Sequence, residues 1–344
     1  MISNERRLVA MASQIQRIRP RPVGEFLSGK LLKIDSRLRG NDYRIENLGR
    51  VRRMVAEKDY LAKKAKCASY SAFDDLRKNP LGFYDVGARG GPWIDSYLFG
   101  DFLTIVLCEP DRSQRRSLNR TRGFQKVHVE TRLIGASEGS ATFYRTRKPG
   151  GSSTLKPKGV RTDNLVVVGA AIRDVVSIEQ VSGDLGIPCE ALKIDTQGSE
   201  LSVLSGLTQI PYCIRVEVST VEWYDGLPLA SRIVEELSQR GYLMISDPSL
   251  LEIPGFHGDI VFSYNPLGGR RLIEACDPIR WLVAHASLGG LIQPYFKCPA
   301  DWNIHRDFLM SIAPNSSETR VAIAQVLEEN GSRFVHYSQK MRVR

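Results

Sequence analysis

Short apolar runs that end on an acidic residue recur along this chain, and they constrain its fold more than any other feature. Leu81-Gly82-Phe83-Tyr84-Asp85-Val86 runs into Gly87-Ala88-Arg89-Gly90-Gly91, Phe102 to Leu107 leads through Cys108 to Glu109, and Ala191-Leu192-Lys193-Ile194 leads into Asp195. Each has the length of a strand rather than a helix. Further strand-like runs fall at 126–134, 213–218, 242–246 and 259–264, with amphipathic stretches at 93–99, 112–121, 199–207 and 228–240 between them. Strands alternating with helix-length segments predict an α/β fold with a seven-stranded, mostly parallel sheet and helices on both faces. The last two runs have no helix-length segment between them and are expected to pair antiparallel. Thr142-Phe143-Tyr144 reads as an extra hairpin strand, and Gly150-Gly151-Ser152-Ser153 as a flexible loop able to close over a ligand.

In an open α/β sheet the carboxyl ends of the strands share one edge, and ligands bind there. Apolar strands do not normally end in acids unless a polar ligand sits beside them, because burying unpaired polar groups costs free energy. The glycines after Asp85 let backbone approach a ligand closely, and the segment that follows offers N–H groups. A carboxylate at Glu109 is suited to accept both hydroxyls of a ribose. Together these residues predict a nucleoside site. A dinucleotide fold would show G-x-G-x-x-G, but Arg89 stands two positions after Gly87, so that spacing fails. Asp85, Gly87 and Gly91 instead follow D-x-G-x-x-x-G, the loop typical of enzymes that use S-adenosylmethionine (SAM).

The third acidic tip carries the most specific motif, Leu192-Lys193-Ile194-Asp195-Thr196-Gln197-Gly198-Ser199-Glu200-Leu201. With Asp85–Gly91, Cys108–Asp111, Gly151–Leu155, the stretch from Val216 through Trp223-Tyr224-Asp225-Gly226, and Gly258–Phe262, the chain resembles the FkbM-type family of SAM-dependent methyltransferases over roughly residues 81–264. The resemblance implies a Rossmann-like class I methyltransferase sheet, SAM as cofactor, and oxygen methylation of a hydroxyl on a sugar, glycan or secondary metabolite. A bacterial enzyme is expected, placed in the cytoplasm by its cysteine usage. Two other classes stay open: a nucleotide-dependent sugar-modifying enzyme or oxidoreductase, and a non-catalytic interaction module on the same fold.

On this reading Asp85, Gly87, Arg89, Gly91, Glu109 and Asp111 bind the cofactor. Asp85 orients the loop and the amino group, and Glu109 holds the ribose. Arg89 departs from a third glycine; it either pairs with the cofactor's carboxylate or points to solvent. Asp195 is the first choice for a general base, with Glu217 and His257 as further catalytic candidates. Glu217 either faces the cleft or pairs with Lys193 or Arg215, and His257 has an ordinary pKa near neutrality. Ser153, Gln197, Glu200 and Tyr224 are candidates for contact with the acceptor. No metal is expected, since no His-rich ligand set appears.

Charge argues against nucleic acid as a partner. The first 78 residues carry 19 Lys+Arg against 9 Asp+Glu, which is the whole net excess of +10, and the remaining 29 basic and 29 acidic residues cancel. A nucleic-acid groove would need its basic stripe near the active site. Arg112, Arg115, Arg116, Arg120 and Arg122 read as the solvated face of a helix. No apolar run reaches the length of a membrane span, and six scattered cysteines without a C-x-x-C pair favour reduced thiols.

Residues 1–45 show no sustained period and predict a disordered basic tail; Ile34–Asp42 resembles translated interspersed repeats found near bacterial gene boundaries, and Met54 is a candidate start. Residues 46–80 are expected to form a helical segment, 81–265 the methyltransferase domain, and 266–344 a mostly helical extension, with a short helix at Thr319–Asn330.

Overall fold

The computed structural model describes residues 73–158, 165–246, 248–264 and 277–288. The expected tail at 1–45, Met54, most of the 46–80 segment and the Thr319–Asn330 helix lie outside the described residues.

The acidic-tipped runs are strands. β1 (Leu81–Val86), β2 (Leu103–Cys108), β3 (Lys126–Glu130), β7 (Ala191–Ile194), β8 (Cys213–Ser219), β9 (Tyr242–Met244) and β10 (His257–Tyr264) form one seven-stranded sheet in the order β3-β2-β1-β7-β8-β10-β9. The β1, β2, β3, β7 and β8 pairings are parallel, while β10 runs antiparallel to both β8 and β9. Every residue of β1 and β2 is buried, the pattern of strands covered on both faces. From β1 the chain builds outward through β2 and β3, then returns to the other side of β1 as β7. The strand order therefore reverses between β1 and β7, and a crevice opens there at the carboxyl edge.

Alternation along the strands divides the core into two apolar clusters. One contains Leu81, Phe83, Ile105, Ala191, Cys213 and Val261; the other contains Tyr84, Val86, Leu192, Ile194, Val216 and Phe262. The same alternation sends Asp85, Lys193, Arg215, Glu217, Asp259 and His257 to the first face. That face is apolar at its base and charged at its carboxyl end. The helix Pro278–Ser287 packs across it, contributing Trp281, Leu282 and Val283 to the first cluster. Arg280 of this helix makes a two-pronged ion pair with Glu190 at the entry to β7, and His285 Nε2 lies 2.8 Å from Ser263 Oγ.

Several expectations need correction. The run 126–134 is two strands in different sheets: Glu130 accepts from the backbone and guanidinium of Arg132, turning the chain, and β4 (Leu133–Ile134) joins a separate three-stranded sheet. β5 (Gly139–Thr146) contains the expected hairpin strand, and its partner β6 (Val167–Val176) escaped the reading, as did the helix Ile178–Leu185. The stretch 93–99 forms not an α-helix but a 3₁₀ segment, Ile94–Phe102, with a kink at Phe99. The stretch 112–121 is helical only over Arg112–Leu118, because Leu118 is the one side chain it buries and a short helix without an apolar face is not sustained. Arg112, Arg115, Arg116, Arg120 and Arg122 are exposed. Cys108, Cys189 and Cys213 are buried free thiols.

Candidate active site

The glycine-rich loop is held by backbone contacts on both sides. Gly87 and Ala88 donate to the Cys108 carbonyl at 2.9 and 3.1 Å, and Asp195 N donates to the Val86 carbonyl at 2.8 Å. Gly87 has φ +86°, and a Cβ there would stand 1.8 Å from the Asp195 carbonyl oxygen. Only glycine permits this approach of the first loop to the third acidic tip. Gly90 and Gly91 also have positive φ, at 80° and 122°.

Asp85 is 1% exposed and faces inward. Its Oδ2 accepts from Trp93 N at 2.7 Å, closing the loop, and its Oδ1 lies 3.3 Å from Lys193 Nζ. Its carboxylate thereby ties the loop to β7. Glu109 is 5% exposed; its Oε1 accepts from Asp111 N at 2.9 Å, and its Oε2 has no partner among the described residues. Burial raises its pKa, against the backbone N–H of Asp111 and the charge of Arg89. Arg89 is half-buried, and its Nη1 pairs with Asp111 Oδ2 at 2.8 Å. Asp111 in turn caps the next turn by accepting from Ser113 N. These two residues brace the rim around Glu109.

On the other side of the crevice, Lys193 lies beneath both acidic tips. Its Nζ is 3.2 Å from Asp195 Oδ2 as well as 3.3 Å from Asp85 Oδ1. Burial opposes its charge, but the two carboxylates hold its pKa above the ordinary lysine range. Asp195 is held below the usual carboxylate range: burial works against its charge, and Lys193 and Gln197 outweigh that. Burial and the neighbouring Asp195 push Glu217 up to about 9. Environments that drive two adjacent carboxyls apart assign them different roles.

Gln197 joins the two acids. It is the non-glycine residue with positive φ (59°) among those described, a conformation that persists only where surrounding contacts impose it. Its Nε2 donates to Asp195 Oδ1 at 2.9 Å and, more closely, to Glu217 Oε2. Its Oε1 lies 3.3 Å from the Tyr224 hydroxyl, and its carbonyl accepts from Ser153 Oγ at 2.7 Å. His257 Nε2 lies 3.4 Å from Glu217 Oε1, and burial lowers the His257 pKa against the charges of Asp195 and Asp259. Arg215 pairs with Asp259 at 3.0 Å and stacks 3.9 Å over the Trp93 ring. Glu217 thus pairs with neither Lys193 nor Arg215.

Three candidates for acceptor contact turn out to build the site. Glu200 is buried, and its Oε1 accepts from Thr196 N, Thr196 Oγ1 and Gly198 N, each at 3.0 Å, which fixes the 196–198 turn. Ser153 is fully buried and accepts from Leu155 N besides donating to Gln197. Tyr224 is 2% exposed, with its hydroxyl 3.0 Å from the Gly151 carbonyl. Both loops fold inward, and these polar atoms meet each other. Sequence reasoning missed Lys193 and Asp259 as members of the site, although their period-2 spacing with Asp195 and Val261 was available. Among the described residues no group of three or more His, Cys, Asp or Glu side chains is placed to hold a metal ion, and no helix is long and apolar enough to cross a membrane.

Residues 85–244 match the family described as methyltransferase FkbM domain. The match begins at Asp85 and spans Glu109, Asp195 and Glu217. No curated protein and no solved structure matches the chain.

Proposed function

We propose that this chain, whose residues 85–244 are an FkbM-type methyltransferase domain, transfers a methyl group from SAM to a hydroxyl oxygen of a sugar, glycan or secondary metabolite. The observation that carries the reading is the contact between the two halves of the crevice: Gly87 of the first loop lies directly against the Asp195 carbonyl, with Glu109 buried one strand away. A donor seated on the loop is thereby brought beside the carboxylate best suited to act on an acceptor.

The residues fit such a donor on two counts. Gly90 and Gly91 carry no side chain on the loop that a nucleoside-bearing ligand would approach, and Glu109 keeps Oε2 unpartnered at the strand end where a ribose would present its hydroxyls. Bound there, SAM supplies an activated methyl on a sulfonium. The chain supplies the rest. Gly87, Gly91 and Glu109 hold the donor, with Asp85, Arg89 and Asp111 bracing the loop. Asp195 stands within reach of an acceptor hydroxyl to take its proton. Holding both reactants in line lowers the barrier by several kcal/mol, and a positioned base adds about 10²–10⁴-fold.

The acceptor is a small molecule or glycan rather than nucleic acid, a reading supported by the balanced charge of residues 79–344. Incubating the protein with methyl-labelled SAM and fractionated bacterial glycans and metabolites, followed by mass spectrometry, tests this. A product that gains one CH₂, with release of S-adenosylhomocysteine, is expected. Labelled methyl on nitrogen or carbon alone would refute oxygen as the acceptor atom, and no transfer to any fraction would count against the acceptor classes named.

A further inference from the structure

We propose that Asp195 and Glu217 operate as a one-proton pair, in which Asp195 carries the negative charge and Glu217 carries the proton and directs it toward His257. The inference builds on the methyl-transfer reading only in assigning its base; the pair itself is argued from the geometry of this chain alone.

The two carboxyls meet at one amide nitrogen: Gln197 Nε2 donates to Asp195 Oδ1 at 2.9 Å and to Glu217 Oε2. Carboxyls this close do not both ionise, so one keeps a proton. Which one is decided by what surrounds each. Asp195 has Lys193 Nζ at 3.2 Å, beneath it on β7. Glu217 faces acids on every element packed around it: Asp195 on the turn after β7, Glu200 at the start of the next helix and Asp259 on β10. The cations of that face are engaged with other carboxylates, Lys193 with Asp85 and Asp195, and Arg215 with Asp259. Tyr224 contributes a neutral hydroxyl, and burial holds its pKa above the usual phenol value. His257 is the remaining base at Glu217, and its Nε2 at 3.4 Å is placed to accept from a protonated Oε1. That requires a neutral ring, which agrees with the lowering of its pKa by burial.

The amide orientation of Gln197 enforces the arrangement. Tyr224 occupies the Oε1 side, so both amide hydrogens point at the acids. The positive φ of Gln197 places the side chain between them. Asp195 is then the group able to take a hydroxyl proton, whereas Glu217, already protonated, serves as a donor.

A proton-NMR titration of the His257 ring in the ligand-free protein tests this, with the resonance assigned by its loss in H257Q. If Glu217 is neutral, E217Q exchanges one uncharged partner for another, and the His257 midpoint moves by less than about half a pH unit. If Glu217 is ionised, its removal takes away an adjacent negative charge, and the midpoint falls by about one unit or more. The first result upholds the pair; a fall of about half a unit or more overturns it. Should E217Q fail to fold, a titration of ¹³C-carboxyl-labelled glutamate in the unaltered protein decides. A glutamate carboxyl that titrates near pH 9 supports the proposal, and complete ionisation of every glutamate by neutral pH refutes it. Neither titration contains a methyl donor, so a failure here is distinct from failure of SAM to bind.

Discussion

Lys193 and Asp85 are register neighbours on adjacent parallel strands, with Nζ 3.3 Å from Oδ1, and the same Nζ reaches Asp195 Oδ2 at 3.2 Å. A single buried cation therefore holds together the carboxylate of the glycine loop and that of the third acidic tip. Lys193→Met leaves the buried Asp85 and the half-buried Asp195 without their shared partner, and stranding a buried charge in this way costs about 3–5 kcal/mol. Urea unfolding measures it. Asp85→Asn combined with Lys193→Met is expected to cost less than the sum of the two singles, because the residues interact directly.

Gly87→Ala is the sharpest test of the loop. The positive φ alone costs roughly 1–2 kcal/mol for an L-residue, and the added Cβ would meet the Asp195 carbonyl at 1.8 Å. The backbone must shift, which moves loop and tip apart. Thermal unfolding is expected to show a lowered Tm, and calorimetry to show no measurable SAM binding. Normal SAM affinity in a folded Gly87→Ala protein would mean that the loop is not the donor site.

Glu217 makes stability depend on pH in a defined direction. Its carboxyl holds its proton in the fold up to about 9, whereas the unfolded chain gives it up near the ordinary value of 4.5. Between those values the unfolded state binds fewer protons, so stability falls as pH rises. The contribution is fully present below about 4.5 and lost as pH climbs to about 9. Glu217→Gln removes this dependence. Its Tm relative to the unaltered protein is expected to rise steadily across that window, by about 2–4 °C for each kcal/mol relieved. A constant Tm difference across the window would contradict this.

Arg89→Ala separates bracing from binding. The Arg89–Asp111 pair is partly exposed, so its loss is expected to cost only about 0–1 kcal/mol of stability. SAM affinity should fall by less than in a Glu109 variant, as measured by calorimetry.

Much of the site was legible because its parts are local. The acidic ends of β1, β2 and β7 follow directly from where apolar runs stop, and the parallel sheet follows from the segments between them. What was not legible depends on partners far apart in sequence. Ser153 and Gln197 lie 44 positions apart, as do Arg215 and Asp259, so a reading of spacing left the roles of these side chains open. The acid of Glu200 looked like a ligand-facing group because its motif lies at a strand end, yet it turns back to hold three donors of its own turn. β6 was overlooked because it alternates exposed with half-buried residues on a small outer sheet, and so lacks the continuous apolar run of a strand buried on both faces.

The account rests on one donor binding across the glycine loop and Glu109, and calorimetric titration of SAM tests it most directly. The unaltered protein is expected to bind SAM with a Kd in the micromolar range and not to bind NAD, and Glu109→Ala to weaken SAM by at least tenfold. Absence of SAM binding, or equal affinity in the unaltered and Glu109→Ala proteins, would contradict it.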